Sequence, residues 1–167
     1  MALRKQMTDA YKKAFKDALK DQLKQQTPES VTWMTNLHRE LIIRICGYTK
    51  RQDIQDQIAE ANDPQIFKQL VEHGKYNAEE LTKFVNYIYS WIAKFCAPVR
   101  DEDVSITLQK LNAMLADSSL MLYEVVAEVI TETHALLDLL DKDLEHDMVK
   151  QFLSFAGGGK KKSFTPQ

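Results

Sequence analysis

A chain of 167 residues, 44% apolar and 28% charged with a formal net charge of −2, has the composition of one soluble globular domain. That length can bury about 70% of the unfolded surface. It lacks the basic excess that points to nucleic acid, and no apolar run reaches the roughly 18–20 residues of a membrane span. Five glycines and four prolines leave few turns and long elements, so the expected class is all-α: a single bundle of about seven or eight helices. Cys46 and Cys96 lack any paired spacing, which suggests buried thiols in a reducing compartment. Met1-Ala2-Leu3-Arg4-Lys5-Gln6 has no apolar signal core, so a cytoplasmic protein is expected.

Met7, Tyr11, Ala14, Phe15, Ala18, Leu19 and Leu23 recur three or four apart, which predicts one amphipathic helix over 3–26. Thr27-Pro28 reads as an N-cap with a first-turn proline. The helix it opens, about 28–46, carries Val31, Met34, Leu37, Leu41, Ile42 and Ile45 and exits at Gly47. A shorter helix at about 50–61 turns Ile54 and Ile58 inward. Asp63-Pro64 repeats the cap-plus-proline start, and that helix runs through Ile66, Phe67, Leu70 and Val71 to Gly74. Asn77 and Glu80 have capping-box spacing. The helix from 78 to about 96 is apolar on nearly every side, so it is expected to be the most buried.

Further helices are expected at about 99–116, 118–140 and 142–155. The last carries Leu144, Met148, Phe152, Leu153 and Phe155. Gly157-Gly158-Gly159 then ends the order, giving a bundle domain over 1–156 and a flexible, disordered basic tail over 157–167.

The junction Phe95-Cys96-Ala97-Pro98-Val99-Arg100-Asp101-Glu102-Asp103 organises the chain. Pro98 belongs in a first helical turn because it has no N–H to donate. Asp101, Glu102 and Asp103 then meet the positive end of the helix dipole. Arg100 can fork onto a carboxylate or onto the last carbonyls of the preceding helix. A helix–helix corner explains all of this without catalysis.

Two segments carry a family resemblance. Cys96, Ala97, Pro98, Val99, Arg100, Asp101 and Glu102 form a "C-A-P-V-R-D-E" segment. Gln69, Glu72, His73 and Gly74 form a "Q-x-x-E-H-G" segment about the right distance before it. With these motifs the chain resembles the T-complex testis protein eleven (T-complex 11-like) family, as a short member or the amino-terminal half of its domain. The likeness is best over about residues 37–104. It implies a non-enzymatic protein-interaction module linked to the flagellum or to cyclic-AMP and protein kinase A signalling, with axonemal or kinase-pathway partners. The alternative is a structural or regulatory component of a virus or parasite built on the same helical fold.

The residues themselves offer little chemistry. Histidines at 38, 73, 134 and 146 never fall three or four apart, and Glu72-His73 and Glu145-His146 lack a second histidine, so no metal is expected. The acidic run at 101–103 lacks the glycine and distal glutamate of an EF-hand. Cys96 reads as a small core residue. Gly157-Gly158-Gly159-Lys160 lacks both the preceding strand and the spacing of a phosphate loop. No catalytic residue and no cofactor are therefore predicted. Tyr87, Tyr89 and Trp91 are a candidate partner groove, because their helix has more apolar faces than a small bundle covers. Ser163, after three lysines, is a candidate phosphosite. Three lysines are too few for stable membrane anchoring.

Overall fold

A computed structural model describes residues 2–164, with side-chain surroundings up to Ala156. Among the described residues it consists of seven α-helices and one 3₁₀ turn: α1 (Ala2–Gln25), α2 (Pro28–Cys46), α3 (Gln52–Ala61), α4 (Pro64–Glu72), α5 (Ala78–Phe95), the turn Pro98–Arg100, α6 (Asp101–Ala116) and α7 (Leu122–Phe164). No strand occurs among these residues, and the expected all-α bundle is what forms.

Local chemistry sets the boundaries. The Thr27 side chain accepts from the Ser30 N–H, Asp63 from Gln65 and Asn77 from Glu80, so three helices start on the caps the sequence marks. Pro28 and Pro64 occupy first-turn positions behind two of those caps.

The core forms where α2, α5, α6 and α1 close around the first half of α7. In α7, Val125 to Thr131 are buried without interruption, followed by Thr133, Leu136, Leu137 and Leu140. This corrects the expectation that α5 is the most buried helix. α5 buries Leu81, Val85, Ile88, Tyr89, Trp91 and Ile92 but leaves Lys83, Asn86, Ser90 and Lys94 exposed, an ordinary amphipathic pattern.

A second correction concerns the break expected near 141. α7 is one continuous helix, because Asp138-Leu139-Leu140-Asp141-Lys142-Asp143 contains neither glycine nor proline to end it. Its aspartates are moreover engaged by neighbouring helices and are not free to cap. The residues expected to pack as a separate last helix, Leu144, Met148, Phe152, Leu153 and Phe155, are exposed. The expected tail over 157–167, Ser163 included, falls on residues whose side chains lie outside the described structure.

Trp91 is 9% exposed; it stacks on Phe95 at 5.8 Å, and the Lys94 ammonium lies 4.4 Å over its ring. Trp91→Ala is expected to cost about 3–5 kcal/mol of unfolding free energy. In a Trp33→Phe background, the Trp91 emission should resist iodide; free quenching would place the indole outside the core.

Candidate functional site

The two sequence motifs do not form one site. They end α4 and α5, and so lie at opposite ends of α5, about 27 Å apart at 1.5 Å per residue.

The first motif is a clamp. Cys96 closes α5 by donating its backbone N–H to Ile92, and Pro98 begins the 3₁₀ turn in which Arg100 N–H reaches the Ala97 carbonyl at 2.8 Å. Arg100 then grips both oxygens of Asp143 on α7, Nε to Oδ2 at 2.8 Å and Nη2 to Oδ1 at 3.0 Å. Its Nη1 reaches Asp103 at 3.2 Å. Hydrogen bonds from Arg100 hold the Asp143 carboxyl below the usual carboxylate range. Asp101 and Glu102 stay exposed, as does Val99. Burial pushes the Cys96 thiol up, as it does for Cys46, so neither is primed as a nucleophile.

The second motif is a turn. Gly74 takes φ +66°, the Lys75 N–H reaches the Leu70 carbonyl at 2.8 Å, and the Gly74 N–H reaches that of Val71 at 3.1 Å. That pairing is a Schellman cap, which needs a residue at ease in the left-handed region. Gln69, Glu72 and His73 are exposed around it. The turn sends the chain back so that Tyr76 meets Phe67 edge-on at 4.9 Å.

Behind that turn lies a groove of about 290 Å³ between α2, α4 and α5. His38 forms part of its floor, 8% exposed, stacked on Phe67 at 4.2 Å and tilted against Phe84 at 4.7 Å. Its Nδ1 is buried and has no hydrogen-bond partner. Burial drives its pKa down to about 4, so the ring is neutral at physiological pH. Ile66, Tyr76 and Tyr87 form apolar walls, and Glu80 and Lys83 supply charge at the edge.

Of the three aromatic residues read as a groove, only Tyr87 lines this one. Tyr89 is 1% exposed, its hydroxyl paired with Thr133 at 2.9 Å, and Trp91 belongs to the core. Helical geometry separates only Tyr89, which lies about 200° from each of the other two. Tyr87 and Trp91 lie one turn and about 40° apart, and Trp91 is drawn into the core by its packing on Phe95. His38 and Phe84 were missed as site residues. The available signal was a histidine on the apolar face of α2, between Met34 and Leu41.

A family model for T-complex protein 11 matches residues 2–153, from the start of α1 into the exposed part of α7. The chain belongs to the T-complex protein 11 family. No solved structure matches it. Both motifs lie inside the family match, one as the Arg100 clamp and the other as the turn beside the groove. Among the described residues no histidine, cysteine or acidic cluster could hold a metal, and no helix is long and apolar enough to cross a membrane.

Two measurements check this geometry. Arg100→Ala should lower the chemical denaturation midpoint more than Lys75→Ala, whose side chain is exposed and unpaired; equal midpoints would show that the Asp143 clamp contributes nothing. The second concerns His38, which stays neutral in the fold down to about pH 4 but takes a proton in the unfolded chain below its ordinary value of 6.5. Protons therefore favour unfolding in this window, and its stability contribution, complete above 6.5, falls as pH drops toward 4. The loss approaches roughly 3 kcal/mol. Urea titrations should show a smaller fall for His38→Leu than for the wild type between those limits; parallel curves would mean that His38 is already charged in the fold.

Proposed function

We propose that this chain is a non-enzymatic protein-interaction module whose partner docks a segment in the groove over His38. The carrying observation is that groove itself: an open, aromatic-walled depression whose floor holds a buried, unpaired imidazole nitrogen. Natural proteins seldom leave a buried polar atom without a partner, and a docked chain could supply one. The mixed rim of Glu80 and Lys83 suits a polar peptide backbone more than a membrane surface or a polyanion. The family is not known as one of enzymes, and the raised thiols accord with binding more than with catalysis.

The partner class we propose is a flagellar or protein kinase A pathway protein in the cytoplasm, the setting that the family resemblance implies. Ser163 behind its three lysines is the proposed regulatory phosphosite.

Ile66 is exposed on the groove wall, so Ile66→Asp should leave the circular dichroism spectrum and the melting temperature unchanged. Capture from source cells by the intact protein, with Ile66→Asp in parallel, should recover axonemal or kinase-pathway proteins that the variant loses. Equal recovery by both proteins would remove the groove from the interaction.

A further inference from the structure

We infer that the protein forms a two-fold dimer, in which the distal arm of α7 from one copy lies along the amino-terminal half of α1 from the other. Each of these helices carries an apolar stripe that is buried over one part and open over the remainder. On α1 the stripe is Leu3, Met7, Tyr11, Phe15, Leu19 and Leu23; the last two are buried and the first four open. On α7 the stripe passes from Leu137 and Leu140, both buried, to Leu144, Met148, Phe152 and Phe155, all open. These eight open side chains are between 37% and 82% exposed. Two contiguous rows of large apolar side chains exceed the scattered exposure of an ordinary monomer surface.

One chain cannot bring its own two rows together. Lys12–Glu132 at 3.1 Å and Lys16–Glu128 at 3.0 Å fix α1 antiparallel to α7, which places Leu3 level with about residue 141. Every residue from Leu144 to Ala156 is exposed, so the arm projects beyond the start of α1 with no other described element covering it. Each open row spans about 17–18 Å at 1.5 Å per residue.

A second copy fits both rows at once. A two-fold axis perpendicular to α7, passing beside it at about the level of Asp143, reverses the partner's α7. The partner's α1 then runs parallel to the arm. From the antiparallel register, Leu144, Met148 and Phe152 of one copy come level with about Leu3, Met7 and Tyr11 of the other. The interface is isologous, because each arm covers the other copy's α1.

The charges agree with this register. Glu145 and Asp147 on the arm come level with about Arg4 and Lys5, and Lys150 with about Asp9. None of these six is in an ion pair within the chain among the described residues, whereas Asp138, Asp141 and Asp143 are already held by arginines. Opposite charges beside matched apolar rows set register and exclude wrong partners. The groove over His38 lies on α2, α4 and α5 and takes no part, so this dimer stands or falls separately from the docking reading.

Sedimentation equilibrium of the full chain should report twice the 19.3 kDa of one copy. Phe152→Asp, at an exposed position, should leave helicity and melting unchanged while weakening association by about 30-fold per interface and about 1000-fold for the symmetric pair. Arg4→Glu with Lys5→Glu should be monomeric alone, and so should Glu145→Lys with Asp147→Lys. Mixing these two double variants should restore a dimer, since one interface is then native and the other carries the same pairs exchanged. A wild type at the mass of one chain overturns the proposal, including the case in which the arm folds back on its own α1. So does a dimer indifferent to Phe152→Asp, or a mixture that stays monomeric.

Discussion

Glu128 is a carboxylate with little access to water, 6% exposed in the middle of the most buried stretch of α7. Burial alone would push it toward its neutral acid. Lys16 of α1 and Lys110 of α6, each 3.0 Å away, outweigh that and hold it below its ordinary value. The pair of lysines comes from two helices on either side of α7, so this one carboxylate joins three elements. Removing either lysine would leave a buried charge short of a partner, which is costly, although the intact arrangement adds little over an apolar substitute. What it adds is register. A helix buried on most sides can rotate or slide among apolar neighbours at little cost, and polar groups that must be paired remove that freedom.

The same device repeats down α7. Glu132 takes Lys12 at 3.1 Å and Lys110 at 3.6 Å, and Arg44 of α2 reaches Asp138 at 2.6 Å and Asp141 at 2.7 Å while touching the His134 ring. The Tyr48 hydroxyl donates to Asp141 and lies within reach of the Leu137 carbonyl. Arg100 closes the series at Asp143. Elements from four parts of the chain are thus indexed to successive turns of one helix. The groove inherits its shape from this frame, because α2 and α5 lie on α7 and α4 lies on α2.

Much of the fold was legible from the sequence because its signals were local. Thr27-Pro28, Asp63-Pro64, Asn77 and Gly74 act within a turn or two of themselves, and each delimits a helix where expected. Whatever depends on a distant partner was not legible. The break expected near 141 is absent because Asp141 and Asp143 answer to Arg44 and Arg100, 97 and 43 residues away in sequence. Tyr89 is misassigned to an aromatic surface because no periodicity shows which apolar face finds a neighbour. His38 is the converse case: its place on an apolar face was visible, but the rings of Phe67 and Phe84 around it were not.

The corner motif therefore acts beyond the corner. A helix interrupted near 141 could have turned its last apolar residues back onto the open stripe of α1 and closed the bundle within one chain. Arg100 on Asp143, with Arg44 and Tyr48 on Asp141, holds the helix straight through the stretch where that turn would have to form. The apolar row from Leu144 to Phe155 is left in solvent as a result, with no described element packed over it. Two arginines thus keep that row extended and open, the condition that the proposed dimer requires. The surface that matches it in length, apolar spacing and charge is the open half of α1, which a second copy of the chain presents.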